Sequence, residues 1–175
     1  KDGLRVTDEP TMEIVQQVLA GKINKNITTE LCMHGINAVG ICGKDAGFMQ
    51  VKKAMPNGMD IGLVGEVTEV KTDLINTLID NDFVPVISSI GVDENGTSYN
   101  VNADYAAVAV AGALKAEKLV FVTDVAGIMR DVNDPDSVIS VIKTDEVNKL
   151  IEDGTISGGM LPKVQCCMAG VEAGV

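Results

Sequence analysis

The sequence predicts a globular α/β fold with a largely parallel sheet, on three observations. Its 175 residues are enough for one domain with a sizeable core, because 46% of them are apolar and 22% are charged. Short apolar runs bounded by turn residues alternate along the chain with stretches of helical periodicity. No run approaches the roughly 20 consecutive apolar residues that a membrane-spanning helix needs.

The first elements along the chain are predicted to be two helices and a short strand. Thr7 or Asp8 can cap the first helix, which we expect to end near Gly21. A second helix is predicted from about Asn24 to Met33, and the strand from Ala38 to Ile41. The apolar stripe that directs the first helix toward the core consists of Met12, Val15, Val18 and Leu19.

Strands and helices then alternate toward the end of the chain. We predict a strand from Ile61 to Val70, a helix from Leu74 to Ile79, a strand from Phe83 to Ile90, a helix from Ala103 to Ala116, a strand from Lys118 to Thr123 and a helix from Thr144 to Ile151. The segment from Asp93 to Gly96 has the composition of a tight hairpin turn. Asp124 to Gly127 follows the carboxyl end of a predicted strand, where open α/β sheets usually bind ligands.

Two amides and a carboxylate stand where the Ala-rich helix is predicted to begin. Asn100, Asn102 and Asp104 alternate along this segment, and Asn102 is a suitable N-cap for the helix. The free amides and the positive end of such a helix favour a phosphate or carboxylate ligand. The alternative is a simple N-cap, with Asp104 complementing the helix dipole.

A second helix start lies near the end of the chain. Gly158 and Gly159 precede Pro162, which suits a first helical turn, and Lys163 follows. A lysine in a first turn faces the positive end of the dipole, which is unfavourable unless an anion binds there. Glycine amides and Lys163 together therefore predict a phosphate site. The alternative is a glycine turn followed by a solvated lysine.

Charge and cysteine content exclude several classes of function. The net charge of −11 argues against nucleic acid and against an anionic membrane surface as partners, and aromatic residues make up only 3% of the chain. The single histidine and the four cysteines form no ligand cluster, so we expect no metal site built by the protein. No signal peptide opens the sequence. These features predict a reduced, cytoplasmic protein.

Several segments match a known family in order along the chain. The sequence resembles the acetylglutamate kinases of the amino acid kinase family at Gly3 to Thr7, Gly43 to Asp45, Pro85 to Gly91, Asn100 to Asp104, Thr123 to Gly127, and Gly154 to Met160 with Lys163. The resemblance implies a three-layer αβα sandwich with a mainly parallel sheet. Family members begin with Lys-x-Gly-Gly and His-Gly-Gly-Gly loops, and neither occurs in this sequence. The closing strands of the family's carboxyl end are missing as well. The resemblance therefore implies a member incomplete at both ends.

The resemblance also implies roles for individual residues. Arg5 would bind the α-carboxylate of N-acetylglutamate, and Asn100 would contact the same substrate. Asp104 would orient the phosphate-binding lysines, Asn102 would lie beside the transferred phosphoryl group, and Lys163 would bind the phosphates of ATP. The nucleotide pocket would be lined by Asp124, Val125, Ala126, Gly127, Ile128, Met129, Thr155, Ile156, Ser157, Gly158 and Gly159.

The function implied by the resemblance is phosphorylation of the γ-carboxylate of N-acetyl-L-glutamate, the second step of arginine biosynthesis. ATP with Mg²⁺ would be the phosphoryl donor, and the enzyme would be a homodimer or a larger homo-oligomer. Residues 1–101 would form the acylamino-acid lobe and residues 102–175 the nucleotide lobe. The alternatives are a sister enzyme of the glutamate 5-kinase, aspartokinase or carbamate kinase type, or a non-catalytic fragment that binds nucleotide.

Overall fold

A computed structural model describes residues 6–123, 127–131 and 133–175 of the chain. The roles expected for Arg5, Asp124, Val125 and Ala126 therefore concern positions outside the described residues. The described residues form the six α-helices and six strands whose bounds follow, and the α/β class expected from the sequence is confirmed.

One long helical run opens the described part of the chain. It consists of α1 (Glu9–Gln16), a π-helical segment (Gln17–Ile23) and α2 (Asn24–Met33). Asp8 is the N-cap, since its Oδ1 accepts a hydrogen bond of 2.9 Å from Thr11 N–H. The helix expected to end near Gly21 instead continues through it, because the π segment joins α1 to α2 without a break. A π segment is rare and commonly lies near functional positions.

The remaining helices agree closely with the predicted ones. They are α3 (Asp73–Asp80), α4 (Ala103–Leu114), α5 (Thr144–Glu152) and α6 (Met160–Glu172). α4 ends two residues before the predicted Ala116, because Lys115 takes a left-handed conformation with φ of 52° as its C-cap. At the start of α5, Glu146 Oε2 accepts a hydrogen bond of 2.9 Å from Lys143 N–H.

The strands form two sets. They are β1 (Ala38–Cys42), β2 (Met49–Lys53), β3 (Val64–Val70), β4 (Val84–Ser88), β5 (Ile90–Val92) and β6 (Ser98–Val101). β1 and β4 are parallel, with Ala38 opposite Val84 and Cys42 opposite Ser88. The other four form a closed sheet in the order β2-β3-β6-β5.

The described strands pair in a mixed pattern. β2 is antiparallel to β3, and β5 is antiparallel to β6, whereas the β2–β5 and β3–β6 pairs are parallel. The expected turn from Asp93 to Gly96 imposes the antiparallel β5–β6 pair, and Gly96 N–H donates a 3.1 Å hydrogen bond to the Asp93 carbonyl. This pairing differs from the mainly parallel sheet that the sequence predicts. No α-helix lies between β2 and β3 or between β5 and β6, and strands joined without a crossover helix pair antiparallel.

The predicted strand from Lys118 to Thr123 is wrong. In the described part of the chain residues 118–123 belong to no strand, and the side chains of Val120 and Val122 are 76% and 93% exposed. An apolar run forms a buried strand only where a neighbouring strand satisfies its backbone groups. The sequence also missed β2, and the predicted strand from Phe83 to Ile90 is divided into β4 and β5 at Ser89.

Two apolar clusters form the interior of the described residues. The first lies between the sheets and α3 and α4, and it contains Ile41, Phe48, Met49, Val51, Ile75, Tyr99, Val101 and Ala106. The second joins α5 to α6 and contains Val147, Ile156 and Val164. Each fully buried large aliphatic or aromatic side chain stabilises the fold by about 1.5–3 kcal/mol. The start of α4 is therefore anchored by one cluster and the start of α6 by the other.

Candidate active site at two helix starts

The start of α4 is built from strand β6 and a side-chain cap. Asn100 lies in β6 opposite Val64 of β3 and Ile90 of β5, so its backbone is held from both sides. Asn102 Oδ1 accepts hydrogen bonds from Asp104 N–H at 2.9 Å and from Tyr105 N–H at 3.3 Å. The N-cap interpretation of Asn102 is confirmed, and the side chain of Asp104 follows it in the first turn.

The start of α6 lacks such a cap. Gly159 is the N-cap residue and makes no side-chain capping bond, and Gly158 precedes it with φ of +54°. A Cβ placed on Gly159 would meet no heavy atom within 4 Å, so the space beside this residue is open. A glycine start with open space lets a ligand approach the helix amides closely.

The two helix starts are joined by an ion pair. Lys163 Nζ lies 3.3 Å from Asp104 Oδ2, although the two residues are 59 positions apart in the sequence. The side chains are 35% and 27% exposed, so water screens their attraction and the pair adds only about 0–1 kcal/mol to stability. Its effect is chiefly geometric, because it holds an ammonium group between two positive helix ends. Both residues expected to have catalytic roles are therefore brought together.

Cysteines of α6 lie beside this pair. Burial, and secondly the charge of Asp104, raises the pKa of the Cys166 thiol. The same two causes raise the pKa of Cys167. Sequence reasoning did not place either cysteine here, although both lie one turn after Lys163 and share its helix face. A raised pKa keeps both thiols protonated near neutral pH, which argues against a nucleophilic role.

The segments expected to line a nucleotide pocket meet at the second apolar cluster. Ile128 packs against the cluster that contains Ile156, which brings the segments around Gly127 and Thr155 to one side of α6. Ile156 is only 1% exposed, so its side chain belongs to the core and its backbone alone could face a ligand. Thr155 N–H donates a 3.0 Å hydrogen bond to Asp153 Oδ1. Met129 forms an isolated antiparallel bridge with Val138.

A cavity of about 470 Å³ is bordered by the π segment, β4 and α4. Its lining is mostly apolar and contains no charged residue, so it does not suit a phosphate. The described residues include no group of three or more His, Cys, Asp or Glu side chains placed to hold a metal ion. No helix within the described ranges is long and apolar enough to cross a membrane.

All 175 residues match the profile of the amino acid kinase family. The chain belongs to the amino acid kinase family. It is 51% identical to the acetylglutamate kinase of Trichodesmium erythraeum, over 100% of this chain and 59% of that protein. It is equally 51% identical to the acetylglutamate kinase of Heliobacterium modesticaldum, over 99% of this chain and 62% of that protein. This amino acid kinase chain thus spans about three fifths of these relatives.

Solved structures confirm the amino acid kinase fold. The chain superposes on smu.665 from Streptococcus mutans with a TM-score of 0.85 and 29% identity, covering 100% of this chain and 69% of that one. It superposes on N-acetylglutamate synthase from Neisseria gonorrhoeae, solved with coenzyme A and N-acetyl-glutamate, with a TM-score of 0.84 and 26% identity, covering 100% and 39%. Carbamate kinase from Giardia lamblia shares the fold with a TM-score of 0.60 at 18% identity, covering 92% and 65%.

Proposed function

We propose that the protein carrying these residues transfers the γ-phosphoryl group of ATP to the γ-carboxylate of N-acetyl-L-glutamate. The observation that carries the proposal is the 3.3 Å contact between Lys163 Nζ and Asp104 Oδ2, which places a cation between two helix starts. The similarity to two acetylglutamate kinases, at 51% identity over almost the whole chain, supports this substrate. The pathway step would be the second one of arginine biosynthesis.

Lys163 and the glycine start of α6 would carry the charge-stabilising part of the reaction. Phosphoryl transfer spreads negative charge over the transferred group, and preorganised cations and backbone amides stabilise that charge. Asp104 would hold the ammonium group of Lys163 toward the phosphates through the ion pair seen in the structure. Gly158 and Gly159 would let the phosphates approach the helix amides, and Thr155 and Ser157 would border the nucleotide.

The acceptor needs no general base. A glutamate side chain has a reference pKa of about 4.3, so the γ-carboxylate is already ionised at neutral pH. The site therefore has to position the two substrates and neutralise the phosphate charge, and it does not have to remove a proton. Asp104 is accordingly proposed as an organiser of lysine charge, with no role as a base.

Arg5 and Asn100 are proposed to bind the acylamino acid. A guanidinium group can hold a carboxylate with two parallel hydrogen bonds, which suits Arg5 to the α-carboxylate. Asn100 lies in β6 with neighbours on both sides, so its position is well fixed. We also propose an acceptor lobe of residues 1–101 and a nucleotide lobe of residues 102–175. The two apolar clusters support this division, although Ala106 of α4 packs with the first cluster.

Mg²⁺ would enter with ATP. Magnesium is usually held by one or two carboxylates together with substrate phosphates, so a cage built by the protein is not required. Asp104 already pairs with Lys163, and the described residues provide no cluster of three ligands. These residues therefore fit an ion carried mainly by the ATP phosphates. When bound, the ion would neutralise part of the phosphate charge.

We further propose a cytoplasmic homo-oligomer. Apolar side chains are exposed along the first helical run, including Ile14 and Met33, and a second copy could cover them. Val18 belongs to this exposed set, so its predicted place in the core-facing stripe is wrong. Reduced cysteines agree with a cytoplasmic location, since the four thiols of the described residues are unpaired.

The proposal is tested with protein expressed from the complete reading frame that encodes these residues. ADP formation is measured with N-acetyl-L-glutamate, and in parallel with L-glutamate, L-aspartate and carbamate. We expect kcat/KM to be highest for N-acetyl-L-glutamate. A preference for any of the other three acceptors would assign the protein to a sister activity, and nucleotide binding without turnover would support the non-catalytic alternative.

A further inference from the structure

Asn24 is a buried amide that the proposed mechanism does not use. It is only 3% exposed and is the first residue of α2, directly after the π segment. Asn24 Nδ2 donates a hydrogen bond of 2.7 Å to the Val86 carbonyl in β4 and a longer one of 3.4 Å to the Ile41 carbonyl in β1. One side-chain amide thus connects the first helical run to both strands of the parallel pair.

The backbone is shaped to admit this side chain. A Cβ on Gly40 would collide with Asn24 Oδ1, so glycine at this position lets α2 approach β1 closely. The neighbouring Lys25 Nζ donates a hydrogen bond to the Gly40 carbonyl. Asn24 Oδ1 is buried and accepts no hydrogen bond from the described residues, which costs stability. An apolar side chain would remove this cost but would leave the Val86 carbonyl without its Asn24 donor. The amide therefore ties α2 to the strands despite the unpaired Oδ1, which indicates a role in positioning them.

Both strands end close to Asn24 and continue into the acceptor side of the proposed site. Val86 lies two residues before the end of β4, and Ile41 lies one residue before the end of β1. Just beyond these ends, Gly43 N–H donates to the Ile90 carbonyl at 2.8 Å. Val101 N–H donates to the Ser89 carbonyl at 3.0 Å, and Val101 directly follows Asn100. The relative position of the two strand ends is therefore passed to β5 and β6.

We propose that Asn24 is a positioning residue that fixes the carboxyl ends of β1 and β4 and, through β5 and β6, the acceptor-binding Asn100. This inference rests on the proposed function. The contacts of Asn24 are to the first helical run and the parallel pair, whereas the residues proposed for nucleotide lie on α6 and the segments that pack beside it. Because Val101 also precedes Asn102 at the start of α4, loss of the Asn24 hydrogen bonds should weaken the acceptor side more strongly than the nucleotide side, which α6 still supports.

The experiment compares three variants of the protein expressed from the complete reading frame. Asn24→Ala removes the donor without adding a buried charge, and alanine is compatible with the helix. Asn24→Asp keeps the shape but can donate to Val86 only when its carboxyl is protonated, and burial favours the protonated form. Asn26→Asp is the matched control, since Asn26 is exposed two residues further along the same helix.

We expect kcat/KM for N-acetyl-L-glutamate to fall by up to about a hundredfold in Asn24→Ala, as for other small misplacements of a substrate, with a clearly smaller change in the KM for ATP. In Asn24→Asp the loss of kcat/KM for N-acetyl-L-glutamate, relative to wild type, should become smaller as the pH is lowered. The Asn26 control should match wild type. Equal changes in the KM values of both substrates, or normal kinetics with a lower melting temperature, would overturn the proposal and leave Asn24 a purely structural residue.

A second measurement separates this inference from the proposed function. Hydrogen exchange of the amides of Gly43 and Val101 reports whether the strand ends are held, even if the wild-type protein has no kinase activity. Faster exchange at both amides in Asn24→Ala, but not in the Asn26 control, supports the positioning role of Asn24. If wild-type exchange rates persist in Asn24→Ala, the positioning role of Asn24 is refuted whatever the activity assay shows.

Discussion

At the scale of single residues, the pair of Asp104 and Lys163 is the central feature. Either residue alone has an ordinary explanation, since an aspartate complements a helix start and a lysine is commonly solvated. Their contact at 3.3 Å changes the interpretation, because Lys163 lies in a first helical turn where a cation is unfavourable without an anion nearby. Asp104 compensates that cost in the free protein, and a phosphate would do so in a complex.

Asp104→Asn should lower kcat strongly while leaving the melting temperature almost unchanged. The amide keeps the size of the side chain but removes the charge that holds Lys163, and a partly exposed pair contributes only about 0–1 kcal/mol to stability. Steady-state kinetics and thermal unfolding check this. Asp145→Asn is the matched control, because Asp145 is the second residue of α5 as Asp104 is of α4. Wild-type kcat in Asp104→Asn would return Asp104 to the role of a helix-start residue.

The thiol of Cys167 should react slowly with iodoacetamide near neutral pH. Partial desolvation of this exposed side chain, then the charge of Asp104, raises its pKa, and the thiolate is the reactive form. The reaction rate should therefore continue to rise with pH beyond the pH at which an ordinary thiol is fully ionised. Asp104→Asn should increase the rate at a fixed pH because it removes one cause of the shift. Mass spectrometry of alkylated peptides measures this, and an unchanged rate would mean that Asp104 does not act on Cys167.

At the scale of elements, helix boundaries follow from local chemistry. Asp8 caps α1, Asn102 caps α4 and Glu146 closes the first turn of α5, each through a side chain within three residues of the backbone group that it satisfies. Local contacts of this kind are visible in the sequence. Strand pairing depends on distant partners, which is why the helix predictions agree better with the structure than the strand predictions.

Two substitutions of Asn102 should separate its capping of α4 from its proposed role beside the phosphate. Asn102→Asp keeps an acceptor for the amides of Asp104 and Tyr105, so stability should be maintained, but the added negative charge should repel phosphate and lower kcat/KM for ATP. Asn102→Ala should instead lose about 1 kcal/mol of stability, a typical value for an N-cap. Urea unfolding and steady-state kinetics on both variants provide the comparison. Normal kinetics in Asn102→Asp would indicate that Asn102 only caps α4.

Gly62 should tolerate a side chain far less well than Gly58. Both have positive φ, of +78° and +74°, so alanine costs about 1–2 kcal/mol at either position from backbone strain alone. At Gly62 a Cβ would also collide with the carbonyl oxygen of Thr7, which bonds to Leu63 N–H at 2.6 Å. Gly62→Ala should therefore unfold at clearly lower urea concentration than Gly58→Ala. Equal midpoints would contradict the close approach of Thr7 to Gly62.

At the scale of the whole molecule, two apolar clusters carry two helix starts that meet in one site. α4 packs on the first cluster through Ala106, and α6 packs on the second through Val164. The site is therefore sensitive to how these two parts are placed. Against the net charge of −11, Lys163 is a local cation that an anionic substrate requires.

A double-mutant cycle measures the coupling between Asp104 and Lys163. Asp104→Asn and Lys163→Met should each lower kcat, the latter by on the order of a hundredfold as for other preorganised donors. Together they should lower kcat by less than the product of the two effects, because the second change removes an interaction already lost. The control cycle replaces Asp104→Asn with Asp145→Asn and should be multiplicative. Multiplicative effects in the Asp104 cycle would show that the pair does not act as a unit.

The sequence by itself determined the α/β class, most helix boundaries and the family, because caps, turns and apolar periodicity act over a few residues and the matching segments stand in order along the chain. Gly158, Gly159 and Lys163 were recognisable as a helix start suited to an anion for the same reason. Roles for Arg5 and Asn100 came from the family resemblance and stay predictions.

Only the tertiary structure decided which distant residues meet. It places Lys163 beside Asp104, inserts Asn24 between α2 and the parallel strands, and leaves Val120 and Val122 exposed where a buried strand was predicted. The physical reason is common to all three. Ion pairs, helix–sheet approach and strand pairing depend on groups that lie far apart in sequence, and no local propensity encodes which of many possible partners is reached.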